Sequence, residues 1–258
     1  MITEKRHELI LTELSKQDFL TLQELIERTG YSASTIRRDL SKLQKFGKLK
    51  RVHGGATLNQ SSALEPNLAD KRSTNLREKQ EIGRLAASQI ENRDCVFLDA
   101  GSTTLEMIPY IKASDIIVVT NGLTHVEELL KHGIRTLIIG GEVKSTTFAT
   151  VGASALETLR RYRFDKVFLG MNGIDLKYGL TTPDEQEAII KHHAMQLGTQ
   201  VYVLIDHDKY EKVYFAHVPL EEGISIITSK RHNHLNNFIC LLVNIILLEA
   251  HYDLYGNF

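Results

Sequence analysis

The chain has 258 residues, 42% of them hydrophobic, and a formal net charge of −1. That length and composition allow two domains with their own cores and exclude a disordered or fibrous chain. The near-neutral total hides a split: residues 1–56 carry 11 Lys and Arg against 7 Asp and Glu, and the rest carries 20 against 25, so a head of +4 precedes a body of −5. A basic head suits a polyanionic partner, but scatter of this size is common in small domains, so specific residues must decide.

The two cysteines, Cys95 and Cys240, each lie in an apolar run, with no Cys-x-x-Cys, no Cys/His metal spacing and no secretory leader. The expectation is a reducing, cytoplasmic protein without a bound metal or cofactor. The longest apolar run, Phe238–Leu248 broken by Asn244, is about half of the roughly 20 residues a membrane span needs. No membrane association is expected.

Helical periodicity begins around Leu9, Ile10 and Leu14. A second helix is announced by the capping-box spacing Thr21-Leu22-Gln23-Glu24, continues through Leu25 and Ile26, and closes near Gly30. A third begins after Ser32 as N-cap, and its Ile36, Leu40, Leu43 and Phe46 recur at helical spacing, which predicts an inward stripe. On and beside the opposite face stand Ser34, Thr35, Arg37, Arg38, Ser41, Lys42 and Lys45, donors suited to phosphates and to base edges in a major groove. A merely solvated charged face would look the same. The next stretch separates the two: Lys48, Lys50, Arg51 and His53 form a basic strand that runs into a Gly54-Gly55 turn. Three helices followed by a basic hairpin describe a winged helix-turn-helix, with helix three in the groove and the wing on the backbone.

The stretch STIRRDLSKLQKFGKLKRVHGGA closely resembles the N-terminal signature of DeoR-type bacterial transcription regulators. The resemblance implies that residues 1–57 bind double-stranded operator DNA.

Residues 58–76 are polar, include Pro66 and lack sustained periodicity, which predicts a linker with at most a short helical piece. From 77 to 230 strands alternate with helices: strands at 95–99, 115–120, 135–139, 166–170, 200–206 and 224–228, helices at 77–90, 103–112, 123–132, 152–162 and 184–198. Such alternation predicts a mainly parallel α/β sheet.

Small and polar residues cluster where those strands end: Asp99 with Gly101, Ser102, Thr103 and Thr104; Asn121; Gly140 and Gly141; Asn172, Gly173 and Asp175; Asp206 and Lys209. Ligands of open α/β sheets bind at that edge. The Gly101–Thr104 run places hydroxyls and N–H groups at a helix start, as an anion requires. Lys144, Lys191 and Lys209 are candidate countercharges. Thr181, Thr182, Glu185 and Asp206 could meet sugar hydroxyls, although Glu185 also suits a first helical turn and Asp206 a loop cap.

From about Arg77 to Lys230, FLDAGSTT, VVTNG, IIGGEVK, FLGMNGID, LTTPDEQEAIIK and LIDHDK resemble the effector domain of the same family, closest to its Gram-positive fructose-operon repressors. The resemblance implies an α/β effector domain similar in fold to ribose-5-phosphate isomerase, a phosphorylated-sugar effector, fructose 1-phosphate among the candidates, and a homo-oligomer, dimer or tetramer. It also raises an isomerase with a DNA-binding appendage, or a body that only oligomerises. The isomerases work through an Asp-Gly-Ala-Asp stretch and a Lys-Gly-Gly loop, where this chain has Asn172-Gly173-Ile174-Asp175 and Gly179-Leu180-Thr181-Thr182. An amide is no general base, so turnover is not expected. Residues 231–258 do not resemble the family's ending; the segment reads as a docking helix, a contact between copies or, preferred, an end foreign to the rest of the chain.

Overall fold

The computed structural model describes residues 2–15, 17, 19–46, 48–52, 54–58, 67–219, 223–229 and 246–250. These form two compact units, Met1–Leu64 and Glu65–Phe258.

The first unit contains α1 (Ile2–Ser15), β1 (Leu20–Thr21), α2 (Leu22–Thr29), α3 (Ala33–Lys45), β2 (Leu49–Val52) and β3 (Gly55–Leu58). The capping box at Thr21 forms as its spacing predicts: the Thr21 N–H donates to Glu24 at 2.8 Å and the Glu24 N–H to the Thr21 hydroxyl at 3.2 Å. Gly30 ends α2 with φ 73°. Ile10, Leu14, Leu25, Ile36, Leu40 and Leu43 fill one small core with Leu20, Leu49 and Ala56. Two details differ from the sequence reading. Strand β1 pairs with β3, making a three-stranded antiparallel sheet in the order β1-β3-β2. Phe46 is the C-cap of α3 and 67% exposed, because the helix stops before the inward stripe returns to it. The two wing glycines do different work: Gly54 turns the hairpin at φ 84°, while a Cβ at Gly55 would lie 2.2 Å from the Leu20 carbonyl oxygen.

The second unit begins with α4 (Leu68–Ser73), inside the stretch expected to be linker, then α5 (Leu76–Ala87), β4 (Cys95–Leu98), α6 (Ser102–Met107), β5 (Ile117–Thr120), α7 (Leu123–Lys131) and β6 (Arg135–Ile138). Next come β7 (Glu142–Val143), β8 (Thr150–Val151), α8 (Ala153–Leu159), β9 (Phe164–Gly170), β10 (Gly173–Asp175), β11 (Gly179–Thr182) and α9 (Glu185–Gln196). The unit continues with β12 (Gly198–Leu204), β13 (Ala216–Val218), β14 (Ile224–Ser229) and β15 (Ile246–Ala250). Seven strands form one parallel sheet in the order β15-β14-β12-β9-β4-β5-β6. Both its faces are covered, which explains why its strands read as unbroken apolar runs. Val96, Leu98, Val118 and Phe168 pack on the α5 side, and Phe97, Val119, Val167 and Leu169 pack against Leu159, Ile190 and Ala194 of α8 and α9.

Two small antiparallel sheets, β7-β8 and β10-β11-β13, were not foreseen. Strand β15 lies in the segment read as a foreign end, yet its backbone extends the main sheet, Ser225 pairing with Ile246 and Ser229 with Ala250. Residues 231–245 and 251–258 lie outside the described residues. Among the described residues no helix is long and apolar enough to cross a membrane.

Candidate functional site

In the first unit, α3 turns Ile36, Asp39, Leu40 and Leu43 inward and leaves Ser34, Arg37, Arg38, Ser41, Lys42 and Lys45 exposed. Its first turn is fixed by Ser32, whose hydroxyl accepts the Thr35 N–H at 3.4 Å and lies 3.0 Å from the Thr35 hydroxyl. Thr35 therefore braces the helix start and is only half-exposed. Asp39, not singled out from the sequence, is 1% exposed and is held by Arg6 of α1, with His7 Nε2 3.2 Å away. Burial opposes its ionisation, but the Arg6 and His7 hydrogen bonds and charges outweigh it and hold the carboxyl below its usual range. This inner clamp sets the angle at which α3 shows its arginines.

The wing is tied to that face. Arg51 donates to the Ser41 hydroxyl at 2.7 Å, and Ser41 donates to the Arg37 carbonyl at 2.9 Å. Lys48, Lys50 and Arg51 are exposed on the same wing, and His53 lies outside the described residues.

In the second unit, β4, β5 and β9 end together at one edge of the parallel sheet, where Asp99 is buried. Its carboxylate accepts the Lys191 ammonium and the Gly170 N–H, the latter at 3.1 Å. Burial pushes the Asp99 carboxyl up, against the pull of Lys191. Lys144 lies 3.0 Å from Asp184 and 3.1 Å from Glu187, and the Thr147 hydroxyl donates to Glu187 at 2.8 Å. Burial disfavours the Glu187 charge, but Lys191 and Lys144 hold its carboxyl below its usual range. Glu187 is buried, whereas the expected Glu185 is exposed. The spacing could have shown this, since Glu187 precedes Lys191 by one helical turn and Glu185 does not.

Several expected ligand groups hold the loops of this edge together. The Thr104 hydroxyl donates towards the carbonyls of Asp99 and Gly101 and accepts the Gly101 N–H, so it knots the β4–α6 turn. It also meets His125 Nε2 at 3.1 Å. His125 is fully buried, and burial, followed by the charge of Arg72, pushes its pKa down to about 3. Asn121 accepts the Ala100 N–H at 2.8 Å and so joins the β4 and β5 turns. Ser102 and Thr103 are buried in the first turn of α6.

Gly140 is exposed with open space around it, and Gly141 has φ 144° and a would-be Cβ 2.4 Å from the Val151 carbonyl oxygen. This pair shapes a turn. Asn172 accepts the Thr182 hydroxyl at 3.0 Å; Thr181 accepts the Tyr214 N–H at 3.1 Å; Gly173 packs against the Lys212 carbonyl. Asp175 accepts the N–H groups of Lys177 and Tyr178 and closes the β10–β11 hairpin. Asp206 caps a 3-10 turn at His207–Lys209, with the ammoniums of Lys79 and Lys209 each 3.9 Å from it.

Lys144 and Lys191, the expected countercharges, face the carboxylates of Asp99, Asp184 and Glu187. The charges of Lys71 and Arg72 in α4 also reach this region, Lys71 helping to hold the Glu187 carboxyl down and Arg72 the His125 pKa.

The profile described as the DeoR C terminal sensor domain matches residues 74–230, and that of the DeoR-like helix-turn-helix domain matches residues 6–62. The chain belongs to the DeoR family of transcription regulators. A Bacillus subtilis relative, the uncharacterized HTH-type transcriptional regulator FruR, is 46% identical across 84% of this chain and 86% of its own. The glycerol-3-phosphate regulon repressor of Escherichia coli K12 is 33% identical across 80% of this chain and 82% of its own. The putative aga operon repressor of Escherichia coli O157:H7 is 32% identical across 81% and 80%. Among solved structures, ribose 5-phosphate isomerase A of Methanocaldococcus jannaschii aligns at 14% identity over 53% of this chain and 55% of that one, with a TM-score of 0.39. As a DeoR regulator, the chain carries a helix-turn-helix domain in its first unit, with the sensor domain following it.

Proposed function

We infer that this regulator represses a sugar-utilisation operon, binding operator DNA through α3 and the wing, and that a phosphorylated sugar at the Asp99–Lys191–Glu187–Lys144 cluster alters that binding. The observation that carries the reading is the buried ionic cluster at the carboxyl edge of the parallel sheet, within a DeoR sensor domain. Buried charges are costly and are kept where they are paired, and sugar hydroxyls can exchange with such pairs. The names of the relatives, with a glycerol-3-phosphate regulon and an aga operon among them, agree with a phosphorylated or sugar-derived effector. Fructose 1-phosphate is the first candidate, from the resemblance to fructose-operon repressors.

A single head spans one half-site, so a homo-oligomer on repeated half-sites follows. The chain is not an enzyme in this reading. Where the isomerase resemblance calls for an acid–base pair, Asn172 is an amide engaged by Thr182 and Asp175 is consumed by turn amides. The test is the melting temperature of the full chain against fructose 1-phosphate, glycerol 3-phosphate and other sugar phosphates, because a ligand of the folded state raises apparent stability. A selective rise supports the sensor; no rise with any compound, or turnover of ribose 5-phosphate, overturns the reading.

A further inference from the structure

Helix α4, the first element of the body after the head, is held at both ends by groups of the strand-edge clusters. At its start the Leu68 N–H donates to the Thr146 carbonyl at 2.9 Å. Thr146 lies in the loop whose Lys144 and Thr147 side chains grip Glu187. At its end the buried Lys79 ammonium donates to the carbonyls of Lys71 and Thr74, the latter at 2.7 Å. Lys71 lies in the last turn of the helix and Thr74 is its C-cap, so the ammonium seals the C-terminal end of α4. Next to them Asn75 adopts φ 56°, and its amide donates to Asp208 at 2.7 Å and towards Asp206 at 3.4 Å.

The second clamp is not saturated. Among the described residues Asp206 Oδ2 is buried and accepts no hydrogen bond, while the Lys79 ammonium stands 3.9 Å away with α4 carbonyls as its competing partners. Arg72, within α4, lies 4.0 Å from Glu106 of α6. A change of partners at Glu187, Lys144 or Asp206 therefore changes what holds α4, whose N-terminal end continues through the chain into the head.

We propose that α4 is a clasp through which occupancy of the strand-edge cluster is passed to the DNA-binding head, with Asn75 and Lys79 holding one end and the Thr146 carbonyl the other. The proposal rests on the sensor reading above. An effector can do this only by binding the two states of the clasp with different affinity. Asn75 positions the clasp and lies outside the proposed effector cluster.

Two variants open the clasp from opposite ends with little local strain. Asn75→Gly keeps the left-handed backbone available and deletes the amide contacts. Leu68→Pro removes the N–H that bonds Thr146 at a first helical position where proline is favourable, Asn67 before it being already extended at ψ 159°. It also trims the buried Leu68 side chain, so Leu68→Ala, which trims it but keeps the N–H, is measured as its control. For the full-length wild type and both variants, the melting-temperature rise with fructose 1-phosphate, or with the panel member that shifts the wild type most, is measured beside the operator Kd with and without that compound.

The expected result is a retained melting-temperature rise in the variants, with the effector's change in operator Kd falling from about 5–150-fold to within about twofold of none. An undiminished change in operator Kd in both variants overturns the clasp while leaving the sensor intact. A wild type that shows the thermal rise but no change in operator Kd also overturns it. A wild type with no thermal rise overturns the sensor reading itself, and the clasp with it.

Discussion

The ammonium of Lys191 lies against the carboxylate of Asp99, both side chains nearly closed to solvent, although 92 residues separate them in the chain. Removing one partner strands the other charge in a site with little water. Lys191→Ala should therefore cost about 3–5 kcal/mol of stability, whereas Asp99→Asn combined with Lys191→Met should recover most of that loss. Urea unfolding of the single and double variants checks this. Equal losses in both would mean that the pair is not what makes the site sensitive.

His125 gives the body a pH dependence with a definite sign. Its folded pKa of about 3 lies below the unfolded value near 6.5, so the unfolded chain takes up a proton first and stability is lost as pH falls from about 6.5 towards 3. Between pH 7 and pH 5 the wild type should lose roughly 2 kcal/mol more than a His125→Gln variant, read from urea midpoints at each pH. Parallel pH profiles for the two proteins would assign the acid sensitivity to other groups.

On the head, Arg37→Ala and Arg38→Ala should each weaken operator binding by about 1–3 kcal/mol if they read base edges. Lys48→Ala and Lys50→Ala should weaken binding to all sequences alike and lower the salt slope by about one each if they touch phosphates. Ser41→Ala removes the acceptor for Arg51 and should weaken binding without touching the core. Fluorescence anisotropy on operator and scrambled DNA at several salt concentrations separates these classes. The thermal response to a sugar phosphate should be unchanged throughout.

Much of this arrangement was legible in local spacing. The stripe of Ile36, Leu40 and Leu43 follows from helical period, and the parallel sheet follows from apolar runs long enough to be covered on both faces. Phe46 misleads because spacing alone does not say where a helix stops. The pieces β7, β8, β10 and β13 have two or three residues each, too short for a period to register. The ionic cluster was half visible. The strand ends pointed to Asp99 and the lysines, but the partners of those lysines are long-range, with Lys144 and Glu187 43 residues apart. Gly141 is required by backbone geometry, with φ 144° and the Val151 carbonyl where a Cβ would lie, so its presence in the sequence does not by itself point to a ligand.

Glu185 and Glu187 put that difference to the sharpest test, because they share one helix turn and one chemistry. Glu185 is exposed, so Glu185→Gln should move stability by no more than about 0.5 kcal/mol and leave the effector response unchanged. Glu187 accepts from Thr147 and faces Lys144, and burial of its charge is offset by those partners and by Lys191. Glu187→Gln keeps the shape but removes the carboxylate charge that faces Lys144 and acts on Lys191. The loss should be about 1–3 kcal/mol, the size of a charge-assisted hydrogen bond removed from a buried site, with the thermal response to the sugar phosphate abolished. Thermal melts of the two variants with and without the compound decide it. If Glu185→Gln were the variant that lost the response, the effector would sit outside the buried cluster, at the exposed start of α9.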